Sequence, residues 1–108
     1  MNAWTVVFAP EAEDQLVSLY EYIANEQGLP ETAARYVNAI IADCESLAHL
    51  PHRGTRRDDI RPGLRITHYK HRLVIAFEAD EATTIVSILG ILYGGRDFEG
   101  ALGEGDPA

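Results

Sequence analysis

Five arginines lie close together in a short segment of an otherwise acidic chain. The sequence has 9 lysines and arginines against 17 aspartates and glutamates, a net charge of −8, yet five arginines and two aspartates give residues 53–65 a net charge of +3. Guanidinium groups bind phosphates and carboxylates through paired hydrogen bonds, and they stabilise negative charge that develops in a reaction. We call residues 53–65 the arginine segment and predict that it binds phosphates or the acidic groups of a protein partner. The alternative is salt bridging to the chain's own carboxylates.

Three more residues extend this candidate surface. Arg72 begins a predicted strand, and Arg96 follows the last predicted strand beside Tyr93. The ends of neighbouring antiparallel strands lie close together, so these positions are expected near the arginine segment. The predicted target-binding residues are therefore Arg57, Arg61, Arg65, Arg72, Tyr93 and Arg96.

The other reactive residue types give little support to metal, cofactor or nucleophile chemistry. Cys44 lies in an apolar helical stripe between Ile41 and Leu47, which is the setting of an unreactive core thiol. The four histidines form two pairs with a two-residue gap, but no cysteine or carboxylate cluster accompanies them at ligand spacing. The sequence has no phosphate-binding loop and no dinucleotide fingerprint. We therefore expect no metal and no cofactor.

Two helices and four strands must position these residues. Alternating side chains predict a first strand over residues 4–8, and Pro10 then opens a helix that ends near Gly28. Pro30 opens a second helix, which carries an apolar stripe over four turns and ends before Pro51. Because the link between the helices is short and both stripes are apolar, the two are expected to form an antiparallel hairpin.

Strand periodicity returns after the arginine segment. Residues 64–69, 72–78 and 83–92 predict three strands joined by short turns. The last of them is almost wholly apolar, so it should be the central strand, covered on both faces, with a bulge or a close backbone approach at Gly90. The predicted fold class is α+β: an N-terminal strand and a helical hairpin packed on an antiparallel sheet of about four strands.

Composition and charge limit the function classes. Apolar residues make up 46% of 108 residues, enough for one domain, expected over residues 1–98 with a flexible tail over 99–108. No apolar run reaches the roughly 20 residues of a membrane span, no secretory signal is recognisable, and a single cysteine fits a reducing compartment. We expect a cytoplasmic protein with no membrane contact. Its acidity disfavours direct nucleic-acid binding and suits a basic protein partner.

Four stretches of the chain resemble ParE-type toxins of the RelE/ParE superfamily. The longest, FAPEAEDQLVSLYEYIANEQGLPETAARYVNAIIADCESLAHLPHRG, is similar to the strand and two helices that open those toxins. DDIRPGLR and HYKHRLVIAFE resemble the segment that leads into and through the family's next strands, and SILGILYGGRD resembles its closing strand. In this order and spacing the resemblance covers about residues 4–98.

The resemblance implies the toxin component of a type II toxin–antitoxin module of the plasmid-stabilisation type, neutralised by a ParD-like antitoxin in a hetero-oligomer. ParE-type members are associated with inhibition of DNA gyrase, which implies growth inhibition by binding. RelE-type relatives are instead ribosome-dependent, metal-independent endoribonucleases that cleave messenger RNA. In that alternative, Arg61 and Arg72 bind phosphate and Tyr93 acts as acid or base. A third alternative is a degenerate member that binds its antitoxin but is not toxic.

An antitoxin needs an apolar surface on its toxin. The last helical turns and the apolar last strand offer more apolar positions than one small core uses, and we predict antitoxin contacts near Leu16, Tyr20 and Ile23.

Lys70 is the only lysine, so the lysine-rich site of the family's ribonucleases is absent. That absence favours binding over catalysis.

Overall fold

The computed structural model of the protein describes residues 3–70 and 73–93, with the backbone alone for Tyr93. The helices are α1 (Pro10–Glu21), continued by a π-helical turn (Tyr22–Glu26), and α2 (Pro30–Glu45), continued by a 3₁₀ turn (Ser46–Ala48). The strands are β1 (Thr5–Phe8), β2 (Thr55–Arg56), β3 (Arg65–Tyr69), β4 (Leu73–Asp80) and β5 (Ile85–Tyr93).

Proline and glycine set the limits of the helical hairpin. α1 begins at Pro10, with Ala9 extended in front of it and two glutamates in its first turn, where they interact favourably with the helix dipole. After the π-helical turn the chain reverses at Gly28, whose φ of +70° costs glycine no strain. Pro30 then opens α2. The predicted hairpin is confirmed, while the wider turn at Tyr22–Glu26 was not predicted.

The sheet has five strands in the order β1-β5-β4-β3-β2, and it is mixed. β1 runs parallel to β5, with Thr5 opposite Ile85, and the other pairs are antiparallel. The predicted α+β class is confirmed, but the sheet differs from the prediction in the direction of β1 and in the additional strand β2. Alternation of side chains is the same in either strand direction, and the two residues of β2 are too few to show a period.

The middle strand of the sheet is β4. All five residues from Leu73 to Phe77 are buried, so both faces of this strand are covered. The prediction that the last strand is central was wrong, because β2 adds a strand on the far side of the sheet. The bulge predicted at Gly90 is confirmed: Phe77 lies opposite Ile88 and Ala76 lies opposite Gly90, which leaves one residue of β5 without a partner.

Apolar clusters lie on both faces of the sheet. The larger cluster joins α1 and α2 to alternate residues of β4 and β5, among them Ile75 and Phe77. The smaller cluster lies on the other face and consists of Leu64, Ile66, Val74, Ala76 and Leu92, with Ile60 and Leu89 packed against it. Since Ile60 and Leu64 belong to the arginine segment, that segment covers the sheet face opposite the helices.

Cys44 belongs to the cluster on the helix side and is fully buried. Burial, with a smaller effect from the charge of Asp43, raises the pKa of its thiol to about 12. The predicted core position of this thiol is confirmed, and its low reactivity stays a prediction.

Candidate functional site

Residues 57–64 of the arginine segment form a closed turn between β2 and β3. The N–H of Arg57 donates to the carbonyl of Leu64 at 2.8 Å, and the N–H of Leu64 donates to the carbonyl of Arg61 at 3.1 Å. Gly63 takes a φ of +82° within the turn, and the side chains of Ile60 and Leu64 pack on the sheet. The turn therefore presents Arg57 and Arg61 on the face of the sheet opposite the helices.

Two arginines of the segment bind the aspartate two positions further along the chain. Arg56 donates to Asp58 from Nε and Nη2 at 3.0 and 3.2 Å, and Arg57 donates in the same way to Asp59 at 2.9 and 2.8 Å. The backbone N–H of Gly63, followed by the Arg56 guanidinium, holds the pKa of the Asp58 carboxyl below its usual value. Arg57 likewise lowers the pKa of Asp59. Both carboxylates are thus charged at neutral pH and oppose two of the five positive charges.

The other three arginines bind groups outside the turn. Arg61 forms an ion pair with Glu78 of β4, with Nε 3.4 Å from the carboxylate, and Arg53 pairs with Asp43 of α2 at 3.4 Å. Arg65 donates to two backbone carbonyls at 2.6 and 3.2 Å. Each arginine of the segment therefore has an intramolecular partner. The surface of the arginine segment carries both positive and negative charges.

Of the six predicted target-binding residues, the structure places Arg57 and Arg61 together on the face opposite the helices, whereas Arg65 is paired with Phe77 and lies on the helix side of the sheet. The side chain of Arg57 is 27% exposed and that of Arg61 is 41% exposed, so a partner reaches part of each guanidinium. Arg65, in β3, uses its guanidinium to hold the backbone just before β2. The other three predicted side chains lie outside the described residues: Arg72, Tyr93 and Arg96. Target binding by these residues, and the ribonuclease roles of Arg61, Arg72 and Tyr93, stay predictions.

The predicted antitoxin-binding residues differ in exposure. Leu16 is 8% exposed and packs in the core, Tyr20 is 38% exposed, and Ile23 is half-buried in the π-helical turn. Because Leu16 is occupied by core packing, a partner on this side of α1 reaches Tyr20 and Val17, which is 55% exposed. Antitoxin binding at these positions stays a prediction.

Sequence analysis missed a groove between α1 and one end of the sheet. It has a volume of about 660 Å³ and is lined by Asp14, Gln15, Ser18, Leu19, Tyr22, Leu73 and Ile91. Positions 14, 18 and 22 share one helical stripe, so the helix side of the groove has a visible pattern in the sequence. Leu73 and Ile91 have none, since only strand register places them beside α1. Among these lining residues, Asp14 carries a charge.

Among residues 3–70 and 73–93, no group of three histidine, cysteine, aspartate or glutamate side chains is placed to hold a metal ion. Over the same ranges no helix combines the length and apolar character required to cross a membrane. The described residues include a mixed-charge turn on one face of the sheet and a groove beside α1.

Comparison with known proteins gives a family and two similar folds. The sequence matches the family described as ParE toxin of type II toxin-antitoxin system, parDE, over residues 6–98. A chain of the chromosomal ParDE TA system from P. aeruginosa has a TM-score of 0.71 and 20% identity, covering 85% of this chain and 97% of that chain. A chain of the toxin-antitoxin complex RelBE2 from Mycobacterium tuberculosis has a TM-score of 0.63 and 20% identity. The match covers 89% of this chain and 97% of that chain. None of the curated proteins matches the sequence.

Proposed function

Because this chain belongs to the family of ParE toxins of type II toxin–antitoxin systems, we propose that it inhibits growth by binding DNA gyrase in the cytoplasm. We further propose that a ParD-like antitoxin neutralises it in a hetero-oligomeric complex. We favour binding over catalysis because of one observation: every arginine in the arginine segment already has a partner within the chain.

Charge pairing in the segment favours a protein target over RNA. A site for RNA phosphates needs cations that are not already opposed, because its affinity comes from cations that neutralise phosphates. Asp58, Asp59 and Glu78 stand beside the guanidinium groups and repel a phosphate, and the net charge of −8 adds to that repulsion. A protein surface carries both signs of charge and can pair with an arginine and its neighbouring carboxylate together.

Exposed apolar side chains on the helical hairpin support the antitoxin proposal. Val17 is 55% exposed, Tyr20 38%, Tyr22 51% and Leu29 47%. Exposed apolar residues grouped on one element are typical of a surface that a partner covers. The fold is also shared with RelBE2, whose structure is a toxin-antitoxin complex.

The decisive experiment measures supercoiling by purified DNA gyrase in the presence of the purified protein. We expect dose-dependent inhibition, and in cells a DNA-damage response after induction while messenger RNA stays intact. Replacing both Arg57 and Arg61 with alanine should weaken inhibition by about tenfold or more, since each loss of about 1.4 kcal/mol is a factor of ten. Arg35→Ala, at an exposed arginine of α2, is the matched control and should leave inhibition unchanged.

A ribonuclease would give the opposite pattern. Messages would be cleaved within minutes of induction, and Tyr93→Phe would reduce activity by about 10²-fold or more, the usual effect of losing a general acid or base. Under the binding mechanism that substitution retains the ring and should change inhibition little. Rapid cleavage of messages with normal gyrase activity would refute the proposal.

A further inference from the structure

β1 forms one edge of the sheet, and its outer side is open. The N–H groups of Thr5 and Ala9 donate toward the β5 side, at 3.0 and 2.9 Å. Hydrogen-bonding groups alternate in direction along a strand, so those of Val6 and Phe8 point away from β5. In the described part of the chain no strand lies on that outer side. An open strand edge is a template for pairing with another chain.

The two edges of the sheet differ in length and charge. β2, at the far edge, has two residues, of which Arg56 is charged, and Arg57 and Asp58 follow it directly. Short edge strands with charged side chains are the common means by which proteins prevent their sheets from pairing edge to edge. β1 is longer, and residues 3–9 contain no charged side chain and no proline. The fold therefore protects the β2 edge and leaves the β1 edge able to pair.

Val7 is an exposed apolar side chain in the middle of this edge. Trp4, Val6 and Phe8 pack against the core on the helix side of the sheet. Successive side chains of a strand point to opposite faces, so Thr5 and Val7 lie on the other face, where Val7 is 41% exposed. β-Branched side chains are favoured in strands because they pack against cross-strand neighbours. On the outer side of β1, Val7 has no such neighbour among the described residues.

The free backbone groups of this edge are complementary to themselves. The N–H of Trp4 already donates to the carbonyl of Ala48 at 2.9 Å, which leaves Val6 and Phe8 to pair. When two such edges meet in antiparallel orientation, Val6 of each copy can face Phe8 of the other, and each facing pair exchanges two hydrogen bonds. Val7 then faces Val7 of the second copy across a twofold axis, in the kind of pair that brings side chains closest together.

We propose that the protein forms a twofold dimer through β1, with Val6 opposite Phe8 and Val7 opposite Val7 of the second copy. The two sheets then become one continuous sheet. Because facing residues of antiparallel strands point to the same side, the helices of both copies lie on one side of that sheet and both arginine segments turn on the other. This inference concerns contacts between two copies of the chain and does not depend on the proposed target or antitoxin.

Composition and spacing favour a second copy over two other occupants of the edge. The end of the chain, EGALGEGDPA over residues 99–108, consists mainly of glycine, proline, acidic residues and alanine, which are depleted in strands. A basic segment of another protein would find no charge to select it along residues 3–9. The net charge of −8 opposes association of two copies, so we expect a weak dimer that tightens as salt screens the repulsion.

Disulfide cross-linking under a mild oxidant tests the register of the dimer. Val7→Cys should form a covalent dimer, because facing residues of this kind lie about 4.5 Å apart at Cα, within the range of a disulfide. Cys44 is fully buried and does not compete. Thr5→Cys, on the same strand and face, is the matched control. It would face Ala9 of the second copy, and its two thiols would be separated by about 13 Å of strand, too far to bond. We expect cross-linking at least about tenfold slower for the control, and equal rates would overturn the inference.

Analytical ultracentrifugation of the unmodified chain measures the association itself. The dimer fraction should rise with protein concentration and with salt. Val7→Lys places two like charges opposite each other and should weaken association by at least about tenfold. Val17→Lys makes the same change at a valine of α1 that is 55% exposed and should change association by less than about threefold. Thermal unfolding checks that both variants fold. A monomer at the highest soluble concentration, or equal effects of the two variants, would overturn the inference.

Amide hydrogen exchange identifies what occupies the edge. Exchange at Val6 and Phe8 should slow as the concentration of the protein rises, while the amide of Val7, which points toward β5, is the internal reference. If the two amides are slow at every concentration and deletion of residues 94–108 makes them fast, the end of the chain occupies the edge and the inference is wrong. If they slow only when the protein encoded by the adjacent gene is added, that protein occupies the edge, which also overturns the inference.

Discussion

Gly54 is the position in the arginine segment where adding a single methyl group should lower the stability of the fold most. It has a φ of +87°, and a Cβ added there would overlap the carbonyl oxygen of Ile66 and lie 3.2 Å from the Cβ of Thr67. The carbonyl belongs to the backbone of β3, so rotation of a side chain cannot relieve the overlap. Gly54→Ala should therefore push β2 away from β3 and displace the carbonyls that Arg65 binds.

Two effects determine the expected loss of stability. The left-handed backbone costs alanine about 1–2 kcal/mol, offset by about 0.4–1 kcal/mol from the reduced freedom of the unfolded chain. Overlap with packed backbone adds about 1–3 kcal/mol, by comparison with overpacked cores. We expect Gly54→Ala to lower the free energy of unfolding by about 2–4 kcal/mol, which is roughly 10 °C or more in Tm for a domain of this size.

Gly63→Ala is the matched control. Gly63 has a φ of +82°, but an added Cβ there meets nothing within 4 Å, so this variant tests the backbone effect alone. Gly63→Ala should lower the free energy of unfolding by about 1 kcal/mol or less. The measurement is urea unfolding followed by circular dichroism for both variants. If Gly54→Ala is no less stable than Gly63→Ala, the close approach of Gly54 to β3 is refuted.

Four further predictions concern the core, pH dependence and the tail. Cys44, with its pKa raised to about 12, should react with a thiol reagent only when urea unfolds the protein, as followed by absorbance. Phe77→Ala should lower the free energy of unfolding by about 3–5 kcal/mol in the same urea assay, because the ring is fully buried. The folded pKa of Asp58 lies below its ordinary 3.8, so its stabilising effect is present above that pH and disappears as pH falls through the folded value. Asp58→Asn should accordingly destabilise the protein at neutral pH, and its stability should approach that of the wild type as the pH falls through the folded pKa of Asp58, in urea titrations over a series of pH values. Deletion of residues 99–108 should change the free energy of unfolding by less than about 0.5 kcal/mol, and a larger loss would show that this segment docks.

Features that depend on near neighbours in the chain followed from the sequence alone. Pro10, Gly28 and Pro30 determine where the helices begin and where the hairpin turns, because proline and glycine restrict or permit backbone angles by themselves. The apolar stripe around Cys44 identified a core thiol, and Gly90 marked the bulge. The pairing of Arg56 with Asp58 was also within reach of the sequence, since a spacing of two residues brings the side chains together in a turn.

Features that join distant segments were decided only by the tertiary structure. β1, the first strand, pairs in parallel with β5, the last strand of the described chain, and no local pattern records strand direction. Arg61 meets Glu78, and Gln15 meets Ile91 across 76 positions, through the register of β4 and β5 and the packing of α1 on the sheet. The sequence by itself determined the helices, the fold class and the clustering of the arginines. Tertiary packing decided that those arginines are paired and that a groove lies between α1 and the ends of β4 and β5, because both arise from contacts between elements rather than from preferences within them.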